Sequence, residues 1–323
     1  MNHPATVSSS GTFMPAKPSH TGLMFGVLLA VGLVAPFVAY PTFLMKLLCF
    51  ALFASAFNLL LGFAGLLSFG HAAFFGGAAY VCAWLVKEAG WSPGLGLVAG
   101  TVVGGLLGAI FGWVAIRRAG IYFAMITLAL AQLVFFLALQ LPFTGGEDGL
   151  QGVPRGTLFG IDLSNNTAMY YFVFAVFSAG FWLIHRTVHS PFGQVLKAIR
   201  ENEPRAISLG YQVERYKLLA FVISAALAGL AGSLKALVFQ LASLTDVHWH
   251  MSGEVVLMTL LGGMGTIFGP VVGAFTIISL EHYLADRGQW VTVITGAIFV
   301  VCVLAFRRGI VGEIAAAWAK RGR

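Results

Sequence analysis

From residue 22 to residue 306 the chain is a succession of apolar runs, divided by mostly short polar connections. About 20 predominantly apolar residues carry one helix across the hydrocarbon layer of a bilayer, so the pattern predicts membrane helices. Windows of about 19 residues place them near 22–40, 43–61, 65–86, 94–115, 120–141, 168–185, 217–240, 253–265, 268–284 and 289–306. The expected fold is therefore an all-α membrane protein of about ten transmembrane or partly re-entrant helices. The eighth and ninth runs are short and are broken by glycine around Leu261, Gly262, Gly263, Met264 and Gly265. Such runs enter the membrane only partway.

The connections orient the chain. The stretch 186–217 carries Arg186, Lys197, Arg200, Arg205, Arg215 and Lys217, and the tail carries Arg307, Arg308, Lys320, Arg321 and Arg323. Short basic connections stay in the cytoplasm. Arg117 and Arg118 fall on that face by parity, whereas 142–167 sets Arg155 against Glu147, Asp148 and Asp162 and faces outside. Both termini are then cytoplasmic, and with Lys17 the inner face collects fourteen of the nineteen basic residues. The expected organisation is a polar, disordered cytoplasmic tail over 1–20, a transmembrane domain over 21–306 that includes a cytoplasmic segment at 186–216, and a basic tail over 307–323. The run 23–39 is too long for the core of a signal peptide, and no small-x-small cleavage site follows it.

Composition narrows the function classes. The chain is 59% hydrophobic and 10% charged, against about 25% charged in soluble domains. Its net charge of +7 sits at the ends of apolar runs, so it reads as orientation and not as a nucleic-acid surface. Cys49, Cys82 and Cys302 each lie alone in an apolar run, which supports neither a disulfide framework nor a metal cluster. His185 and His189 stand four apart near a helix end, without the glutamate of a zinc helix between them. Phosphate-loop, thiol-redox and nucleophile-elbow signatures are missing, so the chain is expected to be no enzyme, to hold no metal and to bind no cofactor.

The informative polar and small residues lie inside the apolar runs. Gly100, Gly104, Gly108 and Gly112 form one ridge, and Ala225, Ala228, Gly229 and Gly232 form another small-residue face. Both let a neighbouring backbone come close. The stretch 62–71, GFAGLLSFGH, predicts a break or unwound turn, and irregular backbone at membrane depth is tolerated only inside protein or along a cavity. Two readings stand for Ser68 and His71: contacts on a translocation pathway, or a buried, hydrogen-bonded pair that fixes packing. Asn58, Thr127, Gln132 and Glu281 are further intramembrane polar groups, of which Asn58 joins Ser68 and His71 as a pathway candidate. Lys235 lies near a helix end and can snorkel. The stretch 190–217, SPFGQVLKAIRENEPRAISLGYQVERYK, predicts a short helix over 192–209, capped by Ser190 and Pro191 and interrupted at Pro204. It is either an exposed loop or a docking helix for a motor subunit.

Four stretches carry a resemblance: GFAGLLSFGHAAFFGGAAY at 62–80, FTGGEDGLQGVP at 143–154, AIRENEPRAISLGYQVERYKLLAFVISAALAGLAG at 198–232 and SGEVVLMTLLGGMGTIFGPVVGA at 252–274. The sequence resembles the M-type permease subunit of ATP-driven branched-chain amino acid importers. The resemblance implies a type II-like importer permease in a bacterial inner membrane. Its implied partners are a second homologous permease, two cytoplasmic ATPase subunits that hydrolyse the ATP, an external substrate-binding protein and lipid. It also implies that Arg200, Glu201, Glu203 and Gly210 belong to the element coupled to the ATPase. Leu66 stands where the family often has Gln, and Arg205 where a small residue is common. A urea or short-amide importer and a self-sufficient secondary carrier are the alternatives.

Overall fold

The computed structural model describes residues 21–158 and 160–284 together with the short stretches 293–294, 296–297, 300 and 309–313, with side chains from residue 25 onward. The expected tail over 1–20, most of the tail over 307–323, Cys302 and most of the helix expected at 289–306 lie outside the described residues. In chain order the helices are α1 (Thr21–Val38), α2 (Pro41–Asn58), α3 (His71–Lys87), α4 (Pro93–Ala115), α5 (Ile121–Gln140) and α6 (Asn166–His189), then α7 (Pro191–Glu201), α8 (Glu203–Ser208), α9 (Val213–Phe239), α10 (Leu244–Val247), α11 (Trp249–Gly262) and α12 (Gly269–Leu284). A π-helical turn, Leu59–Ala64, continues α2. Among the described residues five helices are long and apolar enough to cross a membrane: Pro41–Ala64, α4, α5, α6 and α9. Helices α3, α11 and α12 have 17, 14 and 16 residues. At 1.5 Å per residue the 14-residue α11 rises only about 21 Å, short of a full crossing of about 30 Å.

Local chemistry sets the ends. Pro93 opens α4 at the first helical position, where its missing N–H costs nothing. Asn165 caps α6 through Thr167, Ser190 caps α7 through Gly193, and Asn202 caps α8 through Arg205. The short helix expected over 192–209 is therefore divided at Asn202, two residues before the expected interruption at Pro204. Asn202 takes an extended backbone to serve as cap, and Pro204 follows in the first turn of α8.

Helices α2 and α9 form the centre, with most of their residues buried. Against α9 lie α3 and α4, and the two small-residue faces meet there: a Cβ on Gly229 would stand 3.0 Å from the Cα of Gly104, and one on Gly232 would collide with the Phe75 carbonyl. The far side of α4 carries Val98, Val102, Leu106 and Ile110, all exposed. Glycine inward and bulky apolar side chains outward is the inverse of a soluble helix and suits a lipid-facing one. Phe74, Phe111 and Phe221 pack edge to face in the core, with centroids 5.0 and 5.5 Å apart.

One end of the bundle is closed by short strands. β1 (Leu150–Gln151) pairs antiparallel with β4 (Leu241–Ala242), while β2 (Thr157–Leu158) and β3 (Ile161–Asp162) form a small hairpin. The β1–β4 pair puts the connection after α5 and the connection after α9 on the same face, opposite the end where α6 leads into α7. Arg155 ties that face down by donating to the Val238 carbonyl at 2.8 Å and to Asn166 at 2.7 Å, and burial pushes its pKa down. Lys235 does not snorkel but reaches Asp246 of α10 at 2.6 Å, with side chains only 12% and 3% exposed. Asp246 also completes a capping box with Ser243, so one carboxylate ends α10 and neutralises a buried cation.

The α3–α9 contact gives a direct test. Gly232→Val should lower the unfolding free energy of the detergent-solubilised protein by about 1–3 kcal/mol. Gly26→Val, at a position with open space around it, should shift it by less than about 0.5 kcal/mol; denaturant midpoints of both variants measure the difference.

Candidate functional site

The expected break before α3 spans 65–70, so α3 begins at His71 and not at residue 65. It follows the π-helical turn, which ends on Gly65 in the left-handed region at φ +73°. Several peptide groups of this break meet a hydroxyl. Phe69 N–H donates to Thr127 Oγ1 of α5 at 3.2 Å, and Gly70 N–H donates to Ser68 Oγ at 3.1 Å. Ser252 of α11 accepts from Ala72 N–H at 2.9 Å and donates to the Phe69 carbonyl at 2.8 Å. One serine thus closes both sides of the α3 start.

His71 is fully buried among Phe57, Phe74 and Phe221, edge to face against each. Ser224 of α9 donates to the Ala56 carbonyl at 2.6 Å, so its oxygen accepts from His71 Nε2–H at 2.9 Å. That network assigns the proton to Nε2. His71, Ser224 and Ala56 thereby staple α3 to α9 and α2. Nδ1 has no hydrogen-bond partner among the described residues.

A second break, over 263–268, separates α11 from α12. Here Asn58, buried at the end of α2, uses both halves of its amide: Nδ2 donates to the Thr266 carbonyl at 2.8 Å and Oδ1 accepts from Gly265 N–H at 3.0 Å. Thr266 donates to the Gly263 carbonyl at 2.7 Å and accepts from Gly269 N–H at 3.1 Å, which ends one helix and starts the next. Gly263, at φ +117°, permits the turn.

Arg200 joins the two breaks to the segment between α6 and α9. From the last turn of α7 it donates to the Gly62 carbonyl inside the π-helical turn. Its guanidinium also lies beside Gly265. Lys197, one turn earlier, sits over the Phe63 ring at 5.7 Å. Phe63, Lys197, Arg200, Glu201 and Gly265 line a cavity of about 420 Å³. Asn58 and Arg200 therefore meet at one junction, where the π-helical turn after α2 and the turn between α11 and α12 touch α7.

The other coupling candidates lie beyond that junction. Glu201 is exposed. Glu203 accepts from Lys217 at 2.7 Å, with the lysine side chain 9% exposed, and so fastens α8 to the start of α9. Gly210 ends α8 at φ +86°. Between them Ile207 is 58% and Leu209 68% exposed, and Tyr211 is also exposed. The sequence reading missed Ile207 and Leu209, although apolar residues inside a charged segment were a visible signal. It also missed Ser224, Ser252 and Thr266, whose partners lie over 150 residues away. Thr127 proves to be a cap, Gln132 is half-buried on α5, and Glu281 pairs with Lys46 at 3.4 Å. His189 Nδ1 bonds the His185 carbonyl at 2.8 Å within α6. Among the described residues no three His, Cys, Asp or Glu side chains converge to hold a metal ion.

Comparison with known proteins places the chain among transport proteins. Residues 40–304 match the model of the family described as branched-chain amino acid transport system / permease component. The high-affinity branched-chain amino acid transport system permease protein LivM of Salmonella typhimurium is 28% identical over 277 residues, covering 78% of this chain and 65% of that protein. The ribose import permease protein RbsC of Bacillus subtilis is 29% identical over 196 residues, covering 55% of this chain and 58% of its own. The autoinducer 2 import system permease protein LsrC of Klebsiella pneumoniae is 28% identical over 193 residues, covering 56% and 53%. The chain thus spans just under two thirds of the length of its branched-chain amino acid relative. No solved structure matches.

The junction lies wholly within the matched residues. Replacing Asn58 by Leu strips the Gly265 and Thr266 peptide groups of their partners, at about 1–3 kcal/mol for each buried group left unsatisfied. Faster amide hydrogen exchange over 263–268 with unchanged exchange in α4 is the expected outcome.

Proposed function

The chain belongs to the family of branched-chain amino acid transport system permease components, and on that premise we propose that it is the membrane-spanning subunit of an ATP-driven importer carrying leucine, isoleucine, valine or related amino acids inward. It works in the bacterial inner membrane beside a second homologous permease, with two ATPase subunits on the cytoplasmic face and an external binding protein that delivers the substrate. This chain binds no cofactor in that account, since the ATPase subunits hydrolyse the ATP. Residues 21–306 form the transmembrane domain and 186–216 its cytoplasmic coupling segment, with both termini on the same side.

The observation that carries the proposal is the construction of that segment. One side is fastened into the bundle by Arg200 at Gly62 and by Glu203 at Lys217. The other presents Glu201, Ile207, Leu209 and Tyr211 to solvent. A charged group beside exposed apolar side chains on a held helix is a docking surface for a protein partner. Gly210 gives the tip its left-handed turn. ATP binding draws the motor subunits together and tilts α7 and α8. Arg200 then passes that displacement to the two breaks, whose shape Asn58, Ser68 and His71 maintain. Those three residues act on the pathway by holding its turns, with their functional groups bound to protein. The ribose relative supports sugar import as a second reading, which labelled uptake of leucine against ribose separates.

Two variants test the two ends of the segment. Ile207→Asp with Leu209→Asp should lose the ATPase subunits from the purified complex and abolish uptake. Arg200→Gln should keep those subunits yet lower ATP-driven uptake about tenfold, the scale of a coupling of about 1–3 kcal/mol. Undiminished uptake by both variants would remove the coupling role.

A further inference from the structure

Helices α4 and α9 meet through small residues, and that contact ends at a cavity. Gly104 faces Gly229 and Gly108 faces the Ala225 side chain, but one turn further on Gly112 faces Leu218. Beside that leucine lies a space of about 120 Å³, lined by Trp113, Ile116 and Arg117 from α4 and the turn after it, and by Glu214, Arg215 and Leu218 from α9. It belongs to the end of the bundle that carries α8, because Glu203 of α8 holds Lys217, two residues after Arg215.

The lining is charged and aromatic. Arg117 stands over the Trp113 ring, 5.8 Å from its centroid, and Trp113 is 67% exposed. Arg117, Arg118, Glu214 and Arg215 are exposed, and none of them makes an ion pair among the described residues. Two arginines against one glutamate leave the cavity with a positive excess, and Arg118 adds to it from the next position. The first turn of α9 contributes the positive end of a helix dipole, while Arg117 and Arg118 offset the negative end of α4. From Trp113 an exposed apolar stripe, Ile110, Leu106, Val102 and Val98, runs back along α4. At 1.5 Å per residue it extends about 22 Å, more than the roughly 15 Å depth of one leaflet of the hydrocarbon core. A soluble partner has no access to a surface at that depth, whereas an acyl chain lies there.

We infer that this cavity binds the headgroup of an anionic phospholipid, its phosphate on Arg117 and Arg215 and an acyl chain along the α4 stripe past Trp113. Basic pockets between membrane helices hold such headgroups, and tryptophan favours the level at which they sit. The planar fork of an arginine offers a phosphate two parallel hydrogen bonds. A zwitterionic lipid brings its own cation to a site already in positive excess and gains less. Once occupied, the site fastens the start of α9 to the end of α4, next to the Lys217–Glu203 pair that holds α8. The inference rests on the membrane location of the chain and not on the cargo of the importer.

The test places the full-length chain in nanodiscs and compares quenching of its tryptophan fluorescence by phosphatidylglycerol and by phosphatidylcholine carrying the same brominated chains. The difference between the chain and its Trp113→Phe variant isolates the Trp113 signal. Phosphatidylglycerol should be preferred at that ring about tenfold, the scale of one charged hydrogen bond. Arg117→Gln with Arg215→Gln should remove the preference and leave quenching by phosphatidylcholine unchanged, which shows that the chain is still folded. Arg117→Lys with Arg215→Lys should retain much of the preference, and Glu214→Gln should strengthen it. Equal quenching by the two lipids in the unaltered chain, or a preference that survives Arg117→Gln with Arg215→Gln, would overturn the site. Displacement by soluble glycerol phosphate would overturn it in favour of a free-phosphate site. Loss of the preference once the ATPase subunits are bound would overturn it in favour of a protein interface.

Discussion

A peptide group in lipid has no water to bond, so every break in a membrane helix must find its partner within the protein. The structure is organised by that constraint. Helix α3 starts below a stretch of irregular backbone, and Thr127, Ser68 and Ser252 take up several of its free groups. Helices α11 and α12 part at a glycine turn that Asn58 and Thr266 close. Arg200 bonds the carbonyl that the π-helical turn leaves over. Most of these caps come from another helix, so each break also fixes how two helices stand to one another.

That arrangement makes the breaks mechanical as well as structural. An unbroken helix moves as a rod, whereas a break held by a single side chain can change shape when that side chain is displaced. Arg200 sits where α7, the π-helical turn and the α11–α12 turn come together, and no intermediate helix is needed between them. In the proposed importer, movement of α7 loads two membrane helices at once. A bond between a charged guanidinium and a carbonyl contributes about 1.5–3 kcal/mol, comparable with the coupling energies that link distant sites. The chain is similar to relatives named for branched-chain amino acids, ribose and autoinducer 2.

The residues that read correctly from the chain are those whose signal is local. Apolar run lengths set nearly every helix to within a few residues. Glycine spacing of four marked the α4 ridge, and Ser190 followed by Pro191 marked the start of α7. The misses have a common cause. Lys235 looked free to snorkel because Asp246 belongs to a separate short helix. Helix α3 was expected at residue 65 because apolarity does not distinguish an unwound stretch from a helical one. Asn202 outranked Pro204 as the interruption because a cap acts through one hydrogen bond that composition does not display.

By itself the sequence determined that this is a helical membrane protein, which connections are basic, where glycine lets backbones approach and where a helix breaks. These follow from transfer free energy and backbone sterics, which depend on a residue and its near neighbours. Only the tertiary structure decided that Asn58 serves the turn at Gly265, that Ser252 closes the start of α3, that Arg200 reaches the Gly62 carbonyl while Glu201 is exposed, and that Lys46 meets Glu281. Those assignments depend on which helix faces which, and in a bilayer many apolar faces are nearly equivalent. The scarce polar groups settle the choice, since each must find its partner across the bundle.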